Sequence, residues 1–292
     1  MGDFLRSRRA RIQPEEVGLP SHGRRRVQGL RREEVAQLAG VSVDYYIRLE
    51  QGRGTSASDA VLDSVGRVLR LDEVEQAHLR DLTRPGRAAK PAKGRQQVRP
   101  GLQLLLDMMD GVPAFVLGRR MDVLAWNALG DAVVGFGAQP AEHRNAARSV
   151  FLDPASRDFY LQWEAVAAET VAYLRLDAGR YPDDRRLSTL VGELSVRSEE
   201  FRRLWADHQV KEKTHGSKLI QHPLVGELTF GYETLAVAGA ADQVLITFTA
   251  PAGSPTAQKL ALLASWTAGD VAATGPRGPV TRATGPRVTG SA

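Results

Sequence analysis

Apolar residues recur at intervals of three and four through the first third of the chain. Between 58 and 69 they are Val61, Leu62, Val65, Val68 and Leu69, a spacing that places them on one face of a helix. The same spacing predicts further short amphipathic helices at 2–12, 31–39, 43–51 and 72–82. We therefore expect residues 1–83 to form an all-α domain.

The pattern of apolar residues changes twice after this domain. Segment 84–99 is rich in Arg, Lys, Pro and Gly, a composition typical of a basic linker. Residues 268–292 contain no aromatic side chain and repeat the pentapeptide Ala-Thr-Gly-Pro-Arg, which predicts a disordered tail.

Segment 100–267 mixes the two periodicities. After a short apolar helix at 102–109, strands are predicted at 114–118 and 122–126. Helices follow near 127–135, 142–152, 156–176, 184–194 and 198–208. Strands return at 219–221, 226–230, 233–237 and 244–249, before a last helix near 255–266. Strands that flank a run of helices indicate an α+β domain with an antiparallel sheet and helices segregated to one side.

The segment 31–52 has the features of a helix-turn-helix. Gly40 falls where a sharp turn between two helices needs a residue that tolerates positive φ. Val41 follows as a plug between the helices, and Ser42 is suited to cap the second helix. Small Ala36 allows the two helices to cross closely. An ordinary helical hairpin is the alternative, which this ordered set of residues disfavours.

In a helix-turn-helix the N-terminal part of the second helix enters the major groove. Arg48 is the best candidate for a guanine or phosphate contact, and Tyr45 for a phosphate or a thymine methyl. Asp44 would repel phosphate, so it is expected to orient an arginine or accept from cytosine. The predicted DNA-binding residues are Arg31, Arg32, Ser42, Val43, Asp44, Tyr45, Arg48 and Arg53.

The charge distribution supports a polyanionic partner. The net charge of the chain is +5, with 39 Lys and Arg against 34 Asp and Glu, but the first 100 residues alone have a surplus of +7 and the remainder a net charge of −2. A basic surplus confined to one end is the expected footprint of nucleic acid. A solvated basic face is the alternative interpretation.

Several classes of protein are disfavoured by composition. The absence of cysteine excludes disulfides, zinc fingers and thiol catalysis. No apolar run approaches the roughly 20 residues of a membrane span, and the N-terminus lacks the apolar core of a signal peptide. We expect no membrane partner and a cytoplasmic, nucleoid-associated location.

Two resemblances to known families extend this interpretation. Segment 31–52 resembles the Xre (lambda-repressor-like) family, whose motif typically ends in Leu-Glu-x-Gly, present here from Leu49 to Gly52. Residues 102–266 resemble the MmyB-like ligand-binding domain, a PAS-related sensor fold, on the stretches 123–127, 144–154, 193–208 and 213–235. The resemblance implies a pocket between sheet and helices that binds a small apolar or acyl molecule.

Ligand-binding candidates follow from side-chain chemistry and motif position. Trp126 and Asn127 end the second predicted strand, where an aromatic wall and an amide could meet a ligand. Asn145, Arg148 and Arg197 are candidates for an anionic head group, or else for structural ion pairs. Phe201 is assigned to the pocket or the core, and His215 with Lys218 could supply positive charge near it.

The sequence thus predicts a sequence-specific, DNA-binding transcription regulator controlled by a small apolar or fatty-acyl ligand. A homodimer is expected to bind a double-stranded DNA operator, and no cofactor is expected. His208, His215 and His222 recur every seven residues, but Gly216 and Pro223 break a common helix, so a metal site is disfavoured. The alternatives are a non-sensing DNA-binding adaptor and an enzyme in the second domain, although common catalytic motifs are absent.

Overall fold

The computed structural model describes residues 1–20, 27–53, 57–83, 96–211, 214–240 and 242–273. Most of the predicted linker and the predicted tail from 274 onward lie outside these residues. The last helix continues to Ala273, beyond the domain end predicted at 267. Within the described residues, no helix is both long and apolar enough to cross a membrane.

The first domain is all-α, as predicted. Its buried side chains come from every helix and form one core around Phe4, Leu5, Tyr46, Leu62 and Leu79, which matches the amphipathic spacing in the sequence. The helices are α1 (Gly2–Arg9), α2 (Arg32–Ala39), α3 (Val43–Glu50), α4 (Asp59–Val68) and α5 (Glu73–Thr83).

The second domain is built on one antiparallel sheet with the strand order β2-β1-β5-β4-β3. The strands are β1 (Ala114–Leu117), β2 (Val123–Trp126), β3 (His215–His222), β4 (Gly226–Ala236) and β5 (Val244–Thr249). The two strands predicted at 226–230 and 233–237 are one strand, because Gly231 and Tyr232 continue the pairing with β5. The α+β class with an antiparallel sheet is confirmed.

Helices cover both faces of this sheet unequally. Among the described residues, the helix on one face is α6 (Pro100–Asp107), which packs through Leu102 and Leu106. The larger core on the other face is covered by α7 (Ala128–Val134), α8 (Ala146–Leu152), α9 (Ser156–Phe159), α10 (Trp163–Arg180), α11 (Arg185–Arg197), α12 (Glu199–Ala206) and α13 (Pro255–Ala273).

The single helix predicted at 156–176 is in fact two helices. The chain leaves α9 at Tyr160, which pairs with Ile220 as an isolated bridge, and Leu161 N donates to Leu219 O at 3.1 Å. A short extended segment therefore adds to the edge of the sheet before α10 begins. The helical periodicity continues across this break, which is why the pattern does not reveal it.

A buried ion-pair cluster fixes the end of α3. The Glu50 side chain is 1% exposed and accepts from Arg9 Nη2 at 3.0 Å on one oxygen, while Arg32 Nε donates to the other. Arg9 also donates to Leu30 O at 2.5 Å. Glu50 thus joins α1, α2 and α3 in one cluster, and removal of one member of a buried pair leaves an uncompensated charge.

We predict that Glu50→Gln destabilises the protein by about 3 kcal/mol, because Arg9 would remain buried without its counter-charge. Urea denaturation measures the change in the free energy of unfolding. Glu33→Gln, an exposed position on α2, is the matched control and should shift stability by less than about 0.5 kcal/mol. Equal stability of the Glu50 variant and the control would contradict this role of the cluster.

Candidate DNA-reading surface and ligand cavity

The helix-turn-helix geometry follows from local residues. Gly40 adopts φ +69 at the end of α2, and the Ser42 hydroxyl caps α3 by accepting from Tyr45 N at 3.1 Å. Ala36, Tyr46 and Leu49 are fully buried where the helices cross. The turn at Gly40, the cap at Ser42 and the close crossing at Ala36 predicted from the sequence are confirmed.

The outer surface of α3 is open to solvent. Val43 is 40% exposed, Asp44 and Arg48 are exposed, and Tyr45 is half-buried with the Arg48 guanidinium 6.0 Å from its ring centroid. Because α3 is covered on its other side, this is the surface through which it can meet another molecule. It is the reading face predicted from the sequence.

The arginines near the outer surface of α3 differ in whether they pair with a carboxylate. Arg31, Arg48 and Arg53 are exposed and have no carboxylate partner among the described residues. Arg32 instead binds the buried Glu50 carboxylate, which raises the pKa of its guanidinium through their hydrogen bond. Its first role is therefore to hold α2 against α3, and it leaves Arg31, Arg48 and Arg53 as the free cations of this set.

A cavity of about 50 Å³ lies between the sheet and the helices of the second domain. Its lining is mostly aromatic and aliphatic, with Lys218 and Thr170 as its buried polar side chains. The apolar part of the lining includes Phe115, Leu117, Met121, Phe136, Val166 and Phe248. Such a lining, with few polar groups, is the usual composition of a small-molecule site.

The side chains of the two asparagines predicted as ligand contacts form hydrogen bonds within the fold. Asn127 caps α7, and its amide donates to Met109 O and Val112 O at 2.7 Å. Asn145 caps α8, and its amide donates to Arg120 O at 2.7 Å. Neither lines the apolar cavity, and both are buried helix caps.

The two predicted anion-binding arginines also lie outside the apolar cavity. Arg148 Nη2 pairs with Glu193 Oε2 at 2.6 Å, and Arg197 Nη1 pairs with Glu193 Oε1 at 3.3 Å. Both face an open surface pocket of about 280 Å³ that also contains Asp153. Both arginines thus share the Glu193 carboxylate, which is the structural ion pair named as the alternative.

The remaining predicted ligand residues pack around the core or at its edge. Phe201 is fully buried and stacks on Trp205 with centroids 5.6 Å apart. Trp126 packs on Phe136 at 5.6 Å and is not in the cavity lining. His215 is exposed on β3, where its ring lies 3.2 Å from the Thr214 hydroxyl.

The three histidines at seven-residue spacing do not converge. His222 Nδ1 accepts from Leu224 N at 3.2 Å, so its Nε2 carries the proton and donates to Ala132 O at 2.9 Å. His208 lies at the end of α12 beside Arg175. No group of three or more potential metal ligands occurs within the part of the chain that the structure describes.

Helix α10 connects the cavity with the first domain. Val166 and Thr170 in its first half line the cavity, whereas Leu176 in its second half belongs to the core of the first domain. Gly179 lies against α5 so closely that a Cβ there would be 2.4 Å from Cε1 of His78. The two domains therefore meet along the C-terminal half of α10.

Helix α1 makes the second connection between the domains. Arg8 Nη2 donates to His208 O at 2.8 Å, and its Nε lies 2.7 Å from Glu75 Oε1. Arg11 donates to Asp207 O at 3.3 Å. The next residue after Arg8 is Arg9, which binds Glu50 at the end of α3. One turn of α1 thus contacts both the second domain and α3.

Several cationic side chains lie at the interface between the two domains. Burial and the nearby Arg175 lower the pKa of His78 to about 3 and that of His208 to about 4. Burial and Arg8 lower the pKa of Arg175 itself to about 10. Both histidines are therefore neutral at pH 7, and the interface holds its arginines mainly through carbonyl oxygens and Glu75.

Comparison with known families fits this geometry. A helix-turn-helix domain model matches residues 1–79, the region that contains the exposed α3 surface. The first domain is therefore the DNA-binding domain of a transcription regulator. No individual curated protein matches the chain significantly.

The family follows from the second match. The model of the MmyB-like transcription regulator ligand-binding domain matches residues 98–263, more than half of the chain. The chain belongs to this family of regulators, in which a ligand-binding domain follows a helix-turn-helix. The helix-turn-helix and the MmyB-like domain assigned from the sequence are thereby confirmed, while membership of the Xre family and the PAS relationship remain predictions.

Sequence analysis missed the residues that join the domains and define the cavity. Arg8, Leu176 and Gly179 carry no local motif, because their partners are distant in the sequence. Lys218 was noted only as a source of charge beside His215. The alternation of β3, in which Lys218, Ile220 and His222 are buried, was the signal that could have placed Lys218 inside.

We predict that Gly179→Ala loosens the interface between the domains, since His78 must move to admit a methyl group. All four tryptophans lie in the second domain, so their fluorescence reports its unfolding, whereas far-UV circular dichroism reports both domains. The two transitions should coincide in the parent protein and separate in the variant.

Gly192→Ala on α11 is the control, because a Cβ there meets no atom within 4 Å. That variant should gain about 0.5–1 kcal/mol from helix propensity and keep coincident transitions. Coincident transitions in Gly179→Ala, with stability like that of Gly192→Ala, would show that the contact does not join the domains.

Proposed function

We propose that this protein binds a specific operator as a homodimer and that a small apolar or acyl ligand in the second domain changes its operator affinity. The observation that supports ligand control is the path of α10. The same rigid helix lines the cavity with Val166 and Thr170 and enters the DNA-binding core with Leu176. A ligand that moves α10 therefore acts on the core that holds α3.

The mechanism needs only two arrangements of α10 relative to α1 and α5. A ligand shifts the balance between them by its difference in affinity for the two arrangements. The Arg8 contact with His208 O and the adjacent Arg9 contact with Glu50 provide the link to α3. The direction of the shift decides whether the ligand releases the operator or strengthens binding.

DNA recognition is assigned to the exposed surface of α3 and the start of α2. Arg48 and Arg31 are the proposed base or phosphate contacts, with Val43, Asp44, Tyr45 and Arg53 around them. Ser42 acts through its cap, which fixes the first turn of α3. In a dimer, two such surfaces meet half-sites about one turn (~34 Å) apart on an inverted repeat. The proposal includes a cytoplasmic, nucleoid-associated location.

The proposed ligand is constrained by the cavity. A volume of about 50 Å³ is small beside the roughly 300–1,000 Å³ of typical ligand sites. Because the cavity is below this range, a small apolar or acyl ligand requires side chains of the lining to move. Phe248 is the residue placed to do so, because it also borders an apolar groove of about 270 Å³ beside α13.

The experiment is selection of binding sites from a random duplex library, followed by gel shift on the selected sequence. We expect an enriched inverted repeat. Arg31→Ala with Arg48→Ala should weaken binding at least tenfold, because each lost base or phosphate contact is worth about 1–3 kcal/mol.

The control is Arg202→Ala, which removes an exposed arginine of α12 that pairs with Glu199 at the surface. It should leave operator affinity unchanged. No enriched sequence, or binding that the double variant does not weaken, would contradict the proposed regulator and favour an adaptor or an enzyme that does not use this surface.

A further inference from the structure

The turn between β1 and β2, at 118–122, contains two adjacent residues with a left-handed backbone conformation. Arg120 and Met121 both have φ of +62, and Asp122 N donates to Arg119 O at 3.2 Å within the turn. Two adjacent positive φ angles in a hairpin favour Asn-Gly, because a Cβ disfavours this region. Two long side chains therefore occupy positions for which the backbone alone would select small residues.

The contacts of Arg120 explain how this backbone is held. The residue is 8% exposed, and its guanidinium pairs with Asp122 at 2.7 Å and with Asp184 at 2.9 Å. Its carbonyl oxygen accepts from the Asn145 amide at 2.7 Å. An unfavourable backbone conformation persists where the surrounding structure fixes it. The β1–β2 turn is thus held against the starts of α8 and α11.

Met121 brings the same turn to the wall of the cavity. Its side chain is buried and lines the cavity together with Val166 and Thr170 of α10. A methionine side chain is unbranched and adaptable, so it can follow a change in what the cavity contains. Because Met121 and Arg120 are adjacent in one closed turn, a shift of the Met121 backbone changes the position of the Arg120 amide.

The Arg120 amide is bonded to the helix that joins the two domains. Its N–H donates to Asp177 Oδ2 at 3.2 Å, and Asp177 is buried in the second half of α10. The preceding residue, Leu176, belongs to the core of the first domain, and Gly179 packs against His78. The Arg120 N–H thus connects the cavity wall to the part of α10 that contacts the DNA-binding domain.

We propose that the β1–β2 turn carries changes in the cavity to α10, with Met121 as the sensing residue at the wall and Asp177 as the positioning residue on the helix. Resting on the function proposed above, this adds a route from the turn to the half of α10 that enters the first domain. Linkage is reciprocal, so a change at the DNA-binding domain must also alter the surroundings of Met121.

The acceptor oxygen of Asp177, and not its charge, is the feature that the route requires. Burial raises the pKa of this carboxyl to about 6, which shows that its surroundings disfavour the charged form. Asp177→Asn keeps an oxygen that can accept from Arg120 N and should preserve the route, whereas Asp177→Ala removes the acceptor and should break it. Asp183→Ala, which removes an exposed carboxylate just after α10, is the matched control.

Methionine methyl NMR on the full chain measures the response. The chain has four methionines, and Met108, which is exposed at the end of α6, serves as the internal reference. Saturation with the selected operator duplex should shift the Met121 methyl resonance with the apparent Kd of operator binding and leave that of Met108 unchanged. The Met121 shift should persist in Asp177→Asn and Asp183→Ala. It should be lost in Asp177→Ala, although this variant should still bind the operator.

A second perturbation of the interface needs no DNA. Gly179→Ala disturbs the contact with His78 and should also shift the Met121 methyl resonance, whereas Gly192→Ala should not. The shift caused by Gly179→Ala should disappear when Asp177→Ala is present in the same chain. Tryptophan fluorescence of each variant checks that the second domain remains folded.

A Met121 resonance that responds to neither perturbation, or a response of equal size in Asp177→Ala, would overturn the proposed route. Failure of the proposed function gives a different result. If no duplex is bound specifically, but Gly179→Ala shifts Met121 only when the Asp177 acceptor is present, the route stands and operator recognition fails. If the operator binds and neither perturbation reaches Met121, operator recognition stands and the route fails.

Discussion

The architecture depends on one helix that belongs to two hydrophobic cores. Val171 and Leu174 of α10 are buried under the sheet of the second domain, and Leu176 is buried in the core of the first. A helix is stiff over 18 residues because each turn is hydrogen-bonded to the next. Displacement of one half therefore displaces the other, and neither core can repack independently.

The packing of α10 into both cores also explains which residues occupy the interface between the two domains. Gly179 has no side chain because the His78 ring occupies that space, and burial among arginines keeps this ring neutral. Arg8 reaches across to a carbonyl oxygen of the second domain, while Arg9 turns back to Glu50. Two consecutive residues of α1, Arg8 and Arg9, thus contact the second domain and the end of α3, respectively.

The sequence was most informative where structure is local. Gly40, Ser42 and the buried Ala36, Tyr46 and Leu49 fix the helix-turn-helix within about fifteen residues, so their pattern predicts the fold there. Asn127 and Asn145 could also have been recognised as caps, because each immediately precedes a helical segment. Their chemistry suggested a ligand, but cap hydrogen bonds are the commoner use of asparagine at that position.

The ligand site could not be derived in this way, because its members meet only in three dimensions. Arg148 and Arg197 share one partner, Glu193. The Glu193–Arg197 pair is four residues apart on α11 and can be predicted locally, but the pair with Arg148 of α8 joins residues that are distant in the sequence. Lys218 lies on the buried face of β3, and its ion pair with Glu169 depends on where α10 places that carboxylate. Packing between residues that are distant in the sequence therefore decides which carboxylate each of these cationic side chains pairs with.

The coupling through α10 can be measured most directly without any ligand. Urea unfolding followed by tryptophan fluorescence reports only the second domain, whereas the proposed operator site is on the first. If the domains unfold as one unit, saturating operator should raise the tryptophan-detected stability, by about 2.7 kcal/mol at 100 times Kd. A tryptophan transition that is unchanged by operator, while the first domain is stabilised, would contradict the account.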